Sequence, residues 1–468
     1  YGSSASAGVI SIITKKSNNS ESLNIDLFTG TENDNKSKLD DLTYFSSNLG
    51  FNKNLNLFNL GFNFSTLNTN GMSAISSGSE IDNFSKYNLN LNLSNNNGPI
   101  EWFVILSKSK IKNGYDNSFP IEDANFIGLS FLESISSRFK YQHSKGDISL
   151  TAGYQNTSRE YRDNYPLNFN SINKSAEILN KFKISDKIYS VQGILFQDSG
   201  YDGVMNISQV GLYSNLVYLS GKNLNFSLGA RINNHQTYGN FLTYSLNPSY
   251  NFNFKELQNI KIFATLNSAF IAPSLYQLYD PYSGNEGLLP EESISKEIGI
   301  ETTIKKRNLS IVFFERKENP KIIYEYDFSN FTGGYINTPS DLIFRGIEID
   351  YLKVFFDMMD FNFNYTFNDF KKGTLQRLPK HSFNESITYN LKKNRQLSFI
   401  YRYRGKREVL GGSEKLNSYG LMDIRFYFTK EKINFNFWVS NIFNKEYVEI
   451  LNYSSKGRNL RFGISYEF

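Results

Sequence analysis

The final nine residues, LRFGISYEF, set Leu460, Phe462, Ile464, Tyr466 and Phe468 in alternation with Arg461, Gly463, Ser465 and Glu467. A period of two puts apolar side chains on one face of a strand and small or charged ones on the other. The same pattern recurs in YNLNLNLS (87–94), FNFNYTFN (361–368) and NFNFWVS (434–440), with asparagine repeatedly on the polar face. Asparagine has low strand propensity and needs hydrogen-bond partners, so its repetition opposite Phe and Leu argues for a wet interior behind an apolar exterior. A soluble sandwich would need the opposite arrangement, because a polar face this rich in Asn, Ser and charge cannot pack dry against a second sheet. The pattern therefore predicts an all-β transmembrane antiparallel barrel, with Phe435, Phe437 and Val439 facing lipid and Asn434, Asn436 and Ser440 facing the lumen.

Composition narrows the alternatives. Hydrophobic residues make up 40% of the 468, and no run reaches the ~18 consecutive apolar residues that a spanning helix requires. The 41 Phe and 31 Tyr against only 10 Pro fit many strands with aromatic girdles. Without cysteine there are no disulfides and no thiolate chemistry. A net charge of +5, interspersed along the chain, points to neither nucleic acid nor a polybasic anchor.

Alternating segments from 23–28 to 460–468 number about 22. Short polar turns such as SKG (144–146), KKRN (305–308) and TKEK (429–432) fall at every second connection. Longer connections, expected at 66–83, 111–133, 158–174, 271–293 and 406–419, lie between them. That asymmetry matches the short periplasmic turns and long outer loops of an outer-membrane barrel. The segment LNLFNLGFNF reads as a slip in register after Leu57.

The two ends carry a more specific signal. YGSSASAGVISIITKK (1–16) resembles the end of the plug domain in TonB-dependent outer-membrane receptors, and NIFNKEYVEILNYSSKGRNLRFGISYEF (441–468) resembles that family's last hairpin and terminal strand. AFIAPSLYQLYDPYSGNEGLLPEESISKEIGIE (269–301) and FRGIEIDY (344–351) resemble internal segments of the same family. Within it, 229–252 and 280–293 look most like the cobalamin (vitamin B12) receptor group. The resemblance implies residues 1–16 as the end of a plug, 17–22 as a linker and 23–468 as a barrel in the outer membrane of a Gram-negative bacterium. It further implies TonB-driven uptake of cobalamin, with an iron siderophore or haem as alternative cargo, and no bond chemistry. The implied partners are the TonB complex, outer-membrane lipid and the barrel assembly machinery, which would read Phe468. A passive pore is the competing reading, although a pore has no need of a plug end.

Candidate cargo contacts are Tyr161, Tyr165, Tyr201, Tyr276, Tyr279 and Tyr282, since tyrosine offers a flat apolar face and a hydroxyl at low ordering cost. No cofactor is expected. His143, His235 and His381 lack ligand spacing and read as ordinary polar positions. Some cobalamin receptors order their outer loops with calcium on clustered aspartates; Asp116, Glu122 and Asp123, with Asp34, Asp40 and Asp41, are the carboxylates in the matching regions, and the sequence assigns no metal to them.

Overall fold

The alternation is realised as strand along most of the chain. The computed structural model describes residues 21–36, 41–95, 98–118, 120–203, 205–221, 223–252, 259–327, 329–330, 332–372, 377–392, 394–409 and 414–468. The expected plug end and all but the last two residues of the expected linker lie outside them. The elements are β1 (Ser22–Gly30), β2 (Tyr44–Leu55), β3 (Phe58–Thr69), β4 (Phe84–Asn95), β5 (Ile100–Ser118), β6 (Ile121–His143), β7 (Gly146–Arg162), β8 (Leu167–Lys183) and β9 (Ile188–Tyr201). They continue with β10 (Met205–Leu219), β11 (Leu224–His235), β12 (Gly239–Phe252), β13 (Asn259–Ile271), α1 (Leu275–Tyr279), β14 (Glu291–Ile304), β15 (Arg307–Glu318), β16 (Ile322–Asp327), β17 (Thr332–Asn337) and β18 (Leu342–Phe355). The last are β19 (Met359–Lys372), β20 (His381–Lys392), β21 (Arg395–Arg404), β22 (Arg407–Glu408), β23 (Lys415–Leu416), β24 (Tyr419–Lys430), β25 (Ile433–Ser440) and β26 (Asn459–Glu467).

Twenty-two strands form one sheet, and β16–β17 and β22–β23 form two small separate hairpins. β26 returns to pair with β1, from Asn24 opposite Glu467 to Gly30 opposite Arg461. Closure removes the free edges, the condition for a sheet to survive in lipid, where unpaired backbone groups are costly.

Cross-strand rows show which face is which, because directly opposed residues in an antiparallel pair share a face. Phe139, Leu150, Ile178, Ile194, Leu212, Ile232 and Leu242 run in one row across β6–β12. Each is 44–65% exposed, so the row is an apolar belt on the outside. Asp26, Asn48, Ser65, Asn88 and Ser109 form the opposite kind of row across β1–β5. Asn48 donates to Asp26 at 2.9 Å and Ser109 to Asn88 at 2.8 Å, so polar groups of the lumen face pair with one another. The faces of β25 match expectation. Phe437 is half-exposed against Phe462 (ring centroids 4.9 Å), whereas Asn434 accepts from Tyr427 and Thr429 and Asn436 lines the interior beside Trp438.

Two expectations change. The connections expected at 111–133 and 158–174 are mostly strand, since β5 runs to Ser118, β6 starts at Ile121, β7 ends at Arg162 and β8 starts at Leu167. These stretches stand above the lipid, where the outward face meets water and loses its apolar marking while the backbone ladder continues. The slip at Leu57 is a two-residue turn between β2 and β3, with Leu57 85% exposed at its tip.

The segments that resembled a known family have local causes. Gly346 in FRGIEIDY lies where a Cβ would come within 2.5 Å of the Phe314 ring and closer still to the Phe367 carbonyl. Asn441 and Asn444 of NIFNKEY both have positive φ, 47° and 48°, which asparagine tolerates better than most residues. The buried Asn441 takes Lys445 N–H on its side chain at 2.9 Å and donates its own N–H to Asp423 at 2.9 Å. Asn444 reaches across to the Asn35 carbonyl at 2.9 Å, tying the last outer loop to the first.

Candidate functional site

Four of the six candidate tyrosines converge. Tyr161, Tyr165, Tyr201 and Tyr276 line one cavity of about 860 Å³ on the inner side of the outer rim, together with Gln155, Arg159, Phe169, Gln197 and Gln209. The β7 contribution follows from period two: Gln155, Thr157, Arg159 and Tyr161 share the inner face, with Phe169 of β8 directly opposite Arg159. On β8 the alternation inverts. Ile178 faces out and Glu177 in near the belt, whereas higher up Asn168 and Asn170 face out and Leu167 and Phe169 face in.

Phe169 is the hub. Its ring contacts Tyr161 at 5.9 Å, Tyr201 at 6.1 Å and Tyr276 at 5.7 Å between centroids. Mostly edge-on, these contacts leave aromatic faces open to the cavity.

Tyr276 arrives from the long 272–290 connection on α1. Ser274 caps the helix, accepting from Gln277 N–H at 3.2 Å while Gln277 Oε1 accepts from Ser274 N–H at 2.9 Å. Leu278 and Leu288 of this connection are buried in a small apolar cluster with Ile207 and Ile322. Asn337 clamps the connection to β17, accepting from Leu289 N–H at 2.7 Å and donating to the Leu289 carbonyl at 2.9 Å. Burial, and after it the Asp280 charge, holds the Tyr276 hydroxyl above the usual phenol range, so it remains a neutral donor at physiological pH.

The remaining two tyrosines are placed elsewhere. Tyr279 packs against the Ile207–Leu278–Leu288–Ile322 cluster, and Tyr282 is 78% exposed in a turn held by Asp280. His235 lines the cavity wall, 5% exposed, and accepts the Thr237 and Tyr238 N–H groups on Nδ1, which fixes the β11–β12 turn. Arg159 carries no ion-pair partner among the described residues, whereas Asp163 is engaged by the Tyr115 hydroxyl at 2.7 Å. Flat rings, hydroxyls, side-chain amides and one free guanidinium suit recognition of a large amphipathic molecule.

A second cluster lies in the outer loops. Glu80, Asp82 and Asp116 bring carboxylate oxygens within 4.8 Å of one another. Asp123 stands beside them, holding Ser79 N–H at 2.9 Å, and Asp116 holds Ala124 N–H at 2.9 Å. Asp116 and Asp123 were among the sequence candidates; Glu80 and Asp82 were not, because only the fold of 70–83 over β5 brings them in. Glu122 and Asp41 are exposed, Asp34 lies in a bridge to Lys456, and Asp40 is outside the described residues. Desolvation, then repulsion from Asp82, Asp116 and Asp123, pushes the Glu80 carboxyl up to about 7, and its Oε1 is buried without a hydrogen-bond partner. This donor set fits a hard divalent cation such as calcium, which would be held by Glu80, Asp82 and Asp116. With its folded value raised from 4.5 to about 7, Glu80 stabilises this region fully at low pH, and the contribution is lost as pH rises through about 7. Protection factors in 74–82 and 116–124, corrected for the intrinsic base-catalysed rate, should therefore be lower at pH 8 than at pH 5 without divalent cations. Calcium added at pH 8 should restore protection in the wild type, whereas Glu80→Gln, neutral at both pH values, should keep its protection at pH 8 without calcium and gain little from adding it. Protection factors insensitive to both pH and calcium would remove the site.

A closed 22-strand barrel with an apolar outer belt, a polar lumen and an aromatic cavity at its outer rim defines an outer-membrane receptor barrel. Residues 26–442 match the family described as TonB dependent receptor-like, beta-barrel, and the chain belongs to the TonB-dependent receptors, a family of receptors and transporters of the Gram-negative outer membrane. Among curated proteins it is 24% identical over 383 residues to the vitamin B12 transporter BtuB of Vibrio cholerae serotype O1, covering 76% of this chain and 59% of that protein. BtuB of Vibrio vulnificus strain CMCP6 is 24% identical across 100% of this chain and 77% of its own length. The chain thus spans about three-fifths of the first of these relatives. Among solved structures, the siderophore receptor PirA from Acinetobacter baumannii superposes with a TM-score of 0.83 at 17% identity, over 100% of this chain and 83% of that one. A ferric enterobactin receptor (PfeA) mutant from Pseudomonas aeruginosa gives 0.84 at 15%, again over 100% and 83%. At such identities these two show the fold alone.

Proposed function

We propose that this barrel is the wall and outer binding face of a TonB-dependent importer of cobalamin, with cargo seated on the cavity of Tyr161, Tyr165, Phe169, Tyr201 and Tyr276. The observation that carries the reading is the convergence of these rings at the outer rim, on a chain whose curated relatives include vitamin B12 transporters. A corrin ring is large, flat and edged with amides, which suits aromatic faces flanked by Gln155, Gln197 and Gln209. Tyr279 and Tyr282 act in this reading through the 272–290 connection, Tyr279 by seating it and Tyr282 at its exposed turn. Residues 1–16 are the end of a plug joined through 17–22 to the barrel at 23, and TonB acts on that plug to release cargo inward. Phe468, 64% exposed at the foot of the β1–β26 seam, is in this reading the aromatic offered to the assembly machinery.

A metal chelate is the second reading, and Arg159 favours it, because a free guanidinium in the cavity suits an anionic siderophore. Calorimetric titration of the full-length receptor with cyanocobalamin and with ferric catecholate siderophores separates the two. Saturable cyanocobalamin binding with no siderophore signal is the expected result. Siderophore binding alone would replace the cargo and keep the importer, and binding of neither would reject both cargoes.

A further inference from the structure

We propose, on the reading of this cavity as the cargo seat, that His235 is a positioning residue for its Tyr276 side, holding the 272–290 connection against the barrel wall only while the imidazole is neutral. His235 is the last residue of β11 and is 5% exposed. Its Nδ1 accepts Thr237 N–H at 3.2 Å and Tyr238 N–H at 3.4 Å. A ring nitrogen that accepts from two N–H groups carries no proton, so the single ring hydrogen is on Nε2. A second proton goes to Nδ1, where it removes both bonds and sets one donor against two others.

The turn after His235 is tied on two sides. Gln236 donates its N–H to the Ser208 carbonyl at 3.0 Å, and its side-chain oxygen accepts Ser208 N–H at 2.9 Å, which anchors the turn to β10. Tyr238 reaches the other way. Its ring packs on His235 with centroids 5.0 Å apart, and its hydroxyl donates to the Leu288 carbonyl at 3.0 Å. Leu288 is 1% exposed in the apolar cluster, and its neighbour Leu289 is the residue that Asn337 clamps. Adjacent residues of the connection are thus pinned from two directions, by Tyr238 from the wall and by Asn337 from β17. Tyr276 rides on the same connection against Phe169. Protonated His235 releases the N–H groups of 237 and 238, Tyr238 loses its set direction, and the wall-side pin is lost with it.

The imidazole has no acid partner among the described residues. Gln209 of β10 and Gly239 of β12 lie directly opposite it, and Tyr238 and Phe270 of β13 are the rings packed nearest. Arg159, Tyr161, Asp163, Tyr165, Tyr201 and Tyr276 are the other titratable groups on the cavity, and Arg231 is the charged residue on the inward face of β11 itself. Burial holds His235 below the ordinary histidine range. A depressed folded value gives stability that is complete above the unfolded pKa, about 6.5, and is lost as pH falls through the folded one. The window is therefore acidic, opposite in sign to that of Glu80.

Hydrogen exchange on the full-length receptor in detergent, corrected for the intrinsic rate, tests the assignment. Between pH 7.5 and pH 5, protection across 236–238 and 272–290 should fall roughly tenfold in the wild type, the scale of losing one or two buried hydrogen bonds. His235→Asn offers its side-chain oxygen to Thr237 N–H at either pH, as in an Asx turn, so its protection should stay high and lose the pH dependence. Tyr238→Phe lacks the pin, so protection of 272–290 should be low at both pH values. Heat-modifiable mobility confirms that each barrel is folded. No fall in the wild type, a fall that persists in His235→Asn, or unchanged protection in Tyr238→Phe would each overturn the role. With cyanocobalamin as the calorimetric probe, affinity should follow the same profile. Affinity indifferent to pH while protection falls would also overturn it. A wild type that binds no cyanocobalamin, while 272–290 keeps its pH-dependent protection, would reject that cargo and support the positioning role.

Discussion

Replacing Tyr161, Phe169 and Tyr276 together by alanine in the full-length receptor should weaken cargo binding by roughly 100-fold or more. Buried aromatic anchors are worth on the order of 1 kcal/mol or more each when truncated, though such losses do not add strictly. Phe169 should be the costliest single change, because its ring contacts Tyr161, Tyr201 and Tyr276 at once. The barrel should persist, since the pairing of β7 and β8 is a backbone ladder that these side chains do not supply. Calorimetry with the cargo that the wild type binds, with folding followed by heat-modifiable mobility, measures the effect. A folded triple variant with unchanged affinity would reject the cavity as the binding site.

Asn459→Ala should lower the stability of the β1–β26 seam by about 2–4 kcal/mol, the sum expected for several hydrogen bonds at ~0.5–1.5 kcal/mol each. Asn459 is 3% exposed, accepts from the Thr31 hydroxyl at 2.9 Å and Asn33 N–H at 2.7 Å, and donates to the carbonyls of Asn33 at 2.9 Å and Gly457 at 3.1 Å. These contacts hold the first outer loop to the last across the line where the barrel closes. Asn459→Asp would set a buried carboxylate oxygen against the carbonyls of Asn33 and Gly457, so near neutral pH it should cost at least as much as alanine. The midpoint of urea unfolding in detergent reports the order, and identical midpoints for all three proteins would sink the seam role.

The wall was readable in the chain because its physics is local. Phe435 and Asn434 differ in face for no reason beyond their place in a two-residue period, and that period is printed in the sequence. The site was readable only in part. Tyr161, Tyr201 and Tyr276 could be named by residue type, but their meeting depends on the register of β7 against β8 and on how α1 is seated by Leu278 and Leu288. Phe169 escaped notice because 158–174 reads as a connection, so no face is assigned to it, and within connections the candidate contacts were tyrosines. The inversion itself, Asn168 and Asn170 outward after Ile178 outward, is the signal that could have found it. Glu80 and Asp82 were missed for a related reason, since nothing local says that 70–83 folds back against Asp116.

The binding face is built in two different ways. β7 and β8 have 17 residues each, where a tilted span takes ~9–11, so this side of the cavity is a continuation of the barrel's own hydrogen-bonded fabric. The opposing side is the 272–290 connection, held by a handful of apolar contacts and the Asn337 clamp. An insertion or deletion on the first side shifts the register of the sheet, whereas one on the second side leaves every rung of the ladder intact. Inherited variation can therefore redirect such a receptor toward a new nutrient by rewriting one short segment, and the membrane-spanning body need not be reinvented.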